Sequence, residues 1–485
     1  MCTTILVGKN ASYDGSTLMA RNEDSPSGQF SAKKLVVVLP ENQPRKYKSV
    51  LSSFSIDLPD NPLRYTSMPN ADSKEGIWAA AGVNSANVSM TATETLTSNY
   101  RVTAADPFVK NGISEEDMVT IVLPYIHSAK EGALYLADLL EKYGTYERNG
   151  IGFQDKDEIW WLETIGGHHW MAVRVPDDKY VVVANQQGID SFDFVDAFSK
   201  KENNMCSNDL IDFIIDNHLD LSMSKQQLRQ QTNFDVRAAF GTRTDSDHVY
   251  NTPRVWAMER YLNPTDYKWD GDNADYNPQS DNLPFSLKPE KKITIEDIKY
   301  VLSSTFQFTK YDPYSKFSLE PARFRPVGVN RNNFMAITQL RGYAQENCMA
   351  LQWLAVGSNP FNSLVCLYSN VNKVPDYFSK VTNKVSTDNL YWSTRLIAVL
   401  ADSHYSECIN EIERYQLESL IDSGRLINVY DKLTLDCLDN DTIELLQGCN
   451  QKVADNIQKA TDELLSKLLY ICSMAMKNGY NKSDN

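Results

Sequence analysis

Apolar and polar positions alternate in short runs over most of this chain and then settle into long helical stripes near its end. Residues 3–7 are β-branched and apolar, and residues 16–20 run back as a second strand. Residues 10–15 between them are rich in turn formers and close on Asp14-Gly15. This predicts an antiparallel hairpin. With Cys2 opposite Asp24 its turn centres on Tyr13, and Arg21 and Asp24 return to the neighbourhood of Cys2. Residues 35–39 predict a strand, 40–59 a loop, and 77–94 two strands about a turn marked by Gly82 and Asn84.

Two helices follow. Ser114 with Asp117 forms a capping box, and Pro124 bends or ends that helix. Ser128 with Glu131 caps the second, and Gly144 stops it. Residues 159–163, 168–175 and 180–184 read as a meander of three strands. A polar helix is expected around 224–233, one opening at Thr252-Pro253-Arg254, and a capped one over 293–303. Residues 269–291 are dense in Asp, Asn, Pro and Ser and read as a loop. Strand patterns return at 333–339, 349–356 and 363–368. Beyond residue 376 the period is helical, over 389–402, 406–423 and 442–477. Periodicity thus supports a mixed α+β chain with a helical end.

The predicted hairpin has a chemical meaning. A thiol of pKa about 8.5 is mostly protonated at neutral pH, and attack on an amide requires the thiolate. With Met1 removed, Cys2 carries its own base, an α-amine of pKa about 7.7–8.0. Asp24 is placed to orient that amine, and Arg21 to bias the thiol toward thiolate. Free cysteines are usually small buried hydrophobes. Position 2, with R-N-x-D on the returning strand, singles this one out.

The chain has 485 residues, 42% hydrophobic and 23% charged, an ordinary globular balance. No stretch approaches the roughly 18 uninterrupted apolar residues of a membrane span, and no secretory signal pattern opens it. A net charge of −15 argues against nucleic acid and anionic membranes as partners. Eight cysteines without CxxC spacing suit a reducing cytosol, so a cytoplasmic location is expected. Six histidines are few and dispersed. The one adjacent pair, His168-His169, would point to opposite faces of a strand, so no metal site is expected.

MCTTILVG with DGSTLMARNEDS, then GVNSANVSMTATET, RFRPVGVNRNN and NLYWSTRLIAVLAD, resembles the N-terminal-cysteine dipeptidases of lactic acid bacteria, dipeptidase A type. These are N-terminal-nucleophile (Ntn) hydrolases. Penicillin V acylases and bile salt hydrolases share their Cys and R-N-x-D pattern more distantly. The resemblance implies a four-layer αββα sandwich over 1–375, with a helical extension over 376–485 covering the core or building an oligomer interface. It implies hydrolysis of dipeptides with a free amino terminus, no cofactor, and a homo-oligomer. Acylase relatives place an asparagine at a strand end matching Asn185, as an oxyanion donor, and an arginine after a motif matching Thr252-Pro253-Arg254. Their other oxyanion asparagine falls near Thr93 or Glu94, where this chain has none. Glu94 becomes a candidate to hold the substrate's amino group, and Arg331 a candidate pocket residue. The alternatives are an amidohydrolase of non-peptide amides, against which the missing asparagine counts, and a non-enzymatic relative, against which Cys2, Arg21 and Asp24 count.

Overall fold

Two antiparallel sheets lie face to face, with helices on both outer sides. The structure is a computed structural model that describes residues 2–25, 30–94, 96–437 and 439–476, the side chains at 93, 94, 436, 439 and 440 excepted. The strands of the two sheets are, in chain order, β1 (Cys2–Val7), β2 (Thr17–Asp24), β3 (Ala81–Val83), β4 (Ser89–Glu94), β5 (Asn149–Gln154), β6 (Ile159–Thr164), β7 (Trp170–Arg174), β8 (Tyr180–Val183), β9 (Asn204–Cys206), β10 (Ser286–Leu287), β11 (Asn332–Leu340), β12 (Ala350–Val356) and β13 (Val365–Tyr368). The principal helices are α1 (Glu115–Val122), α2 (Ala129–Tyr143), α3 (Thr252–Leu262), α4 (Ile295–Leu302), α5 (Leu390–Asp402), α6 (Tyr405–Leu433) and α7 (Asp439–Met474).

The seven-stranded sheet runs β10-β8-β1-β2-β11-β12-β13, and the six-stranded sheet β9-β7-β6-β5-β4-β3. The expected hairpin β1–β2 is the middle of the larger sheet. Its two faces serve two cores. Leu6 and Met19 point into the gap between the sheets with Trp161, Val181 and Val183. Ile5, Val7, Leu18 and Ala20 point outward beneath Met258 of α3 and Ile298 of α4. On the smaller sheet, Phe153, Trp160 and Leu162 bury the apolar faces of α1 and α2. The layer order is therefore αββα, as the resemblance implies.

Four sequence expectations change. The strand at 180–184 does not complete a meander. β8 crosses to pair with β1, and β9 takes the place beside β7. Val181 to Val183 are buried on both faces, and a run of that kind carries no period to say which sheet it joins. The expected polar helix at 224–233 is a single 3₁₀ turn at Leu228–Gln230. The loop at 40–59 contains a two-strand ribbon, Lys46–Lys48 with Ser55–Asp57. Gly82 lies inside β3 opposite Met90, where a Cβ would collide with the Thr66 carbonyl. The turn itself is at Asn84 and Asn87. The capping box at Ser114 and the cap at Ser128, which accepts from the Glu131 N–H, form as their spacing predicts.

The C-terminal helices build their cores with the larger sheet rather than with one another alone. Ile427 of α6 and Leu446 of α7 pack on its outer face, and Val453 and Ile457 of α7 on the inner face of its far strands. They straddle the edge strand β13 and satisfy its backbone. Asn450 accepts from the Tyr368 N–H at 2.9 Å and donates to the Tyr368 carbonyl at 3.0 Å. Ser423 Oγ accepts from the Cys366 N–H. An open sheet edge is thereby covered. Among the described residues no helix is long and apolar enough to cross a membrane.

Asn450→Ala leaves a donor and an acceptor of β13 buried without partners. It is expected to cost about 1–3 kcal/mol, read as a lower urea midpoint at unchanged m-value. An unchanged midpoint would show that the helices do not hold this edge.

Candidate active site

The register of β1 against β2 decides which side chains meet. Cys2 lies opposite Glu23, and Thr4 opposite Arg21. This is one residue from the expected pairing of Cys2 with Asp24, and a one-residue shift exchanges the faces of a strand. Cys2, Arg21 and Glu23 therefore share the face between the sheets, and Asp24 lies on the other. Sequence reasoning misplaced the turn centre because the whole segment 10–15 favours turns.

Cys2 is buried. Arg21 NH2 donates to its Sγ at 2.9 Å. Burial raises the thiol pKa, and the Arg21 cation opposes that rise by favouring the thiolate. Arg21 is itself fully buried. It pairs with Glu115, the first residue of α1, and donates from NH1 to the Ala80 carbonyl at 3.0 Å. Glu23 stands 3.6 Å from Arg21 NH2 and 2.8 Å from Lys33 Nζ, and Lys33 also donates to the Trp78 carbonyl. Burial, ahead of the pull of Glu23, leaves the Lys33 pKa below its ordinary value.

Asn185 follows β8, which lies beside β1. Its Oδ1 accepts from the Cys2 N–H at 3.3 Å and from Arg254 NH2 at 2.8 Å. A guanidinium only donates, so the Asn185 oxygen must face Arg254, and the planar amide turns its NH2 end the other way. Arg254, in the first turn of α3, also donates to the Cys2 carbonyl at 2.6 Å and to Thr3 Oγ1 at 2.8 Å. Toward the two strands its contacts thus lie on the Cys2 carbonyl, Thr3 Oγ1 and Asn185. Burial, and then the like charge of Arg325, pull its pKa down to about 9, which leaves it a cation at neutral pH.

Asp24 is held by Arg325 and by Asn332 Nδ2. Arg331 donates to the Ser25 carbonyl at 2.6 Å and to Tyr250 Oη at 3.2 Å, which ties down the chain just after β2. Glu94 ends β4, and its side chain lies outside the described residues. Glu163 holds the turn after Asn185 by accepting from the Gly188 N–H at 2.7 Å.

Lys33, Glu115 and Arg325 escaped sequence reasoning, and Glu23 passed as the variable position of R-N-x-D. Glu115 resembles any acidic residue in a helix first turn, and nothing in its spacing links it to Arg21. His168 and His169 precede β7 in a turn. Their Nδ1 atoms both reach the Asp106 carboxylate, at 3.0 and 2.7 Å, so they do not point apart as a strand would require. Against burial, these histidines hold the Asp106 carboxyl well below its ordinary range. Among the described residues no group of three or more His, Cys, Asp or Glu is placed to hold a metal ion.

Comparison with known proteins supplies the family. Residues 1–418 match the model of peptidase family C69, and the chain belongs to that family. It is 48% identical to a dipeptidase of Bifidobacterium longum, over 100% of this chain and 99% of that one. It is 50% identical to a probable dipeptidase A of Streptococcus pyogenes serotype M3, over the whole of both. A probable dipeptidase B of Lactococcus lactis is 44% identical over 100% of this chain and 98% of its own. A solved penicillin V acylase from Agrobacterium tumefaciens aligns over 76% of this chain and 86% of its own, at 11% identity and a TM-score of 0.33, too loose a likeness to argue from.

Arg21→Met removes the cation that favours the thiolate and leaves Glu115 and Glu23 beside the sulfur. Both changes raise the thiol pKa. The midpoint of the pH profile for Cys2 alkylation by iodoacetamide is expected to move up by about one to three units. A midpoint that stays put, or falls, contradicts the assignment of Arg21.

Proposed function

We propose that this chain is a dipeptidase that cleaves dipeptides with a free amino terminus, using Cys2 as nucleophile and its own α-amine as base once Met1 is removed. Membership of peptidase family C69 and the names of its relatives support the substrate class. The observation that carries the mechanism is the pairing of Arg21 NH2 with Cys2 Sγ at 2.9 Å while Asn185 Oδ1 reaches the Cys2 nitrogen.

In this reading the α-amine takes the thiol proton, and the sulfur attacks the scissile carbonyl carbon. The oxyanion that forms is met by the NH2 end of Asn185. The C–N bond then breaks, and the departing amino acid takes the proton from the α-ammonium. A thioester is left on Cys2. Water, deprotonated by the same amine, attacks it. The C–S bond breaks, the sulfur recovers a proton from the α-ammonium, and the first amino acid leaves as its carboxylate with its acid proton lost to solvent. Arg254 fixes both the Cys2 carbonyl and the Asn185 amide, so nucleophile and oxyanion donor are positioned by one side chain. Asp24, on the far face of β2, is the residue we assign to the α-amine.

Cys2→Ala is expected to abolish dipeptide hydrolysis while keeping the fold. Asn185→Ala is expected to lower kcat by about 10² to 10³ at little change in KM. Mass spectrometry of active enzyme should find Cys2 as the first residue. Full activity with Met1 still attached would overturn the mechanism, because the base would then be an amide.

A further inference from the structure

Glu23 stands across from Cys2 in the β1–β2 ladder, so both side chains leave the sheet on the same face. The residue is only 9% exposed. Its carboxylate is used unevenly. Lys33 Nζ holds Oε1 at 2.8 Å, and Asn333 Nδ2 approaches the same oxygen at 3.5 Å. Oε2 has no hydrogen-bond partner among the described residues, and Arg21 NH2, at 3.6 Å, stands off beyond hydrogen-bond length. A buried carboxylate oxygen without a donor costs free energy, and such atoms in folded proteins call for an explanation.

The position of that oxygen supplies one. The same Arg21 nitrogen that lies 3.6 Å from Oε2 lies 2.9 Å from Cys2 Sγ. Oε2 is therefore no further from the sulfur than those two distances laid end to end. In a peptide with a free amino terminus, the α-nitrogen is about 2.5 Å from the scissile carbonyl carbon, from standard bond lengths. That carbon sits about 3–3.5 Å from the sulfur when poised for attack. A carboxylate that grips the ammonium at about 2.8 Å must then lie close beside the nucleophile. Glu23 Oε2 meets that condition.

We propose that Glu23 Oε2 receives the α-ammonium of the substrate's first residue and so restricts the enzyme to peptides with a free amino terminus. The inference rests on the reading of Cys2 as nucleophile of a dipeptidase. Lys33 fixes Oε1 and thereby aims Oε2. A substrate with a neutral hydroxyl in place of the ammonium gives the buried carboxylate a weaker, uncharged donor and loses the charge-assisted part of the bond. Glu94, at the end of β4, is the rival carboxylate that the sequence offers.

The test compares L-alanyl-L-alanine with its lactyl analogue, in which a hydroxyl replaces the α-amine, on wild type, Cys2→Ala, Glu23→Gln, Glu23→Asp and Glu94→Gln. Wild type is expected to favour the amine by about 10- to 100-fold in kcat/KM. In Glu23→Gln that ratio should fall at least tenfold. A loss shared equally by both substrates leaves the ratio unmoved and overturns the proposal. So does a ratio that collapses in Glu94→Gln but not in Glu23→Gln. If Glu23→Gln does not fold, Glu23→Asp withdraws the charge by one methylene and should lower the ratio several-fold, and an unmoved ratio there counts against Glu23 equally. Hydrolysis by Cys2→Ala at the wild-type rate sinks the nucleophile assignment and this inference with it. Cys2-dependent hydrolysis with an unmoved ratio sinks this inference alone.

Discussion

One buried cation organises this molecule. Arg21 belongs to the larger sheet, Ala80 leads into the first strand of the smaller one, and Glu115 begins the helix that covers the smaller sheet from outside. Arg21 bonds to all of them and to Cys2 Sγ. It therefore links three of the four layers at the point where the thiol sits. Burying a guanidinium is costly unless its donors are used and its charge is matched, and removing one partner of such a pair commonly costs about 3–5 kcal/mol. The charge that tunes the thiol is thus also a tie between layers, and site geometry and packing are set together.

The opposite face of β1 has its own arginine. Arg254 reaches the Cys2 carbonyl, Thr3 Oγ1 and Asn185 Oδ1 from α3. The first residues of β1 are thereby clamped from both sides, Sγ by one guanidinium and backbone by the other. A chain terminus is ordinarily the least ordered part of a domain. Here it is a central strand, paired on one side with β2 and on the other with β8. That placement holds residue 2 in the hydrogen-bonded interior of the sheet.

Local signals in the sequence were the readable part. The hairpin, the helix caps at Ser114 and Ser128, the proline-opened helix at Thr252 and the last three strands all follow from neighbours within a few positions. Cys2, Arg21 and Arg254 were legible through position and resemblance, and their contacts converge. What escaped depends on distant partners. β8 changed sheets because an apolar run with no period fits either one. Asp24 and Glu23 exchanged faces because a single residue of register separates them, and a turn-rich loop tolerates either count. Glu115 and Lys33 look like surface charges until the fold brings Glu115 to Arg21 and Lys33 to Glu23.

The segment between Lys33 and β3 shows what this concentration of charge demands of the backbone. Trp78 and Ala80 have φ of 49° and 62°, the left-handed region that side chains other than glycine and asparagine rarely adopt. Each costs of the order of 1 kcal/mol or more and persists only where its surroundings over-determine it. Their carbonyls are the two that the buried cations take: Trp78 from Lys33 at 3.1 Å and Ala80 from Arg21 at 3.0 Å. Two strained residues, alternating with Ala79, turn two backbone oxygens toward two cations that carboxylates alone do not saturate. The Ala80 carbonyl also accepts from the Ala92 N–H, which carries β4 on the other side. Strain, cation and strand pairing therefore support one another, and relaxing Ala80 to an ordinary conformation would withdraw an acceptor from Arg21 and loosen the guanidinium that holds Cys2.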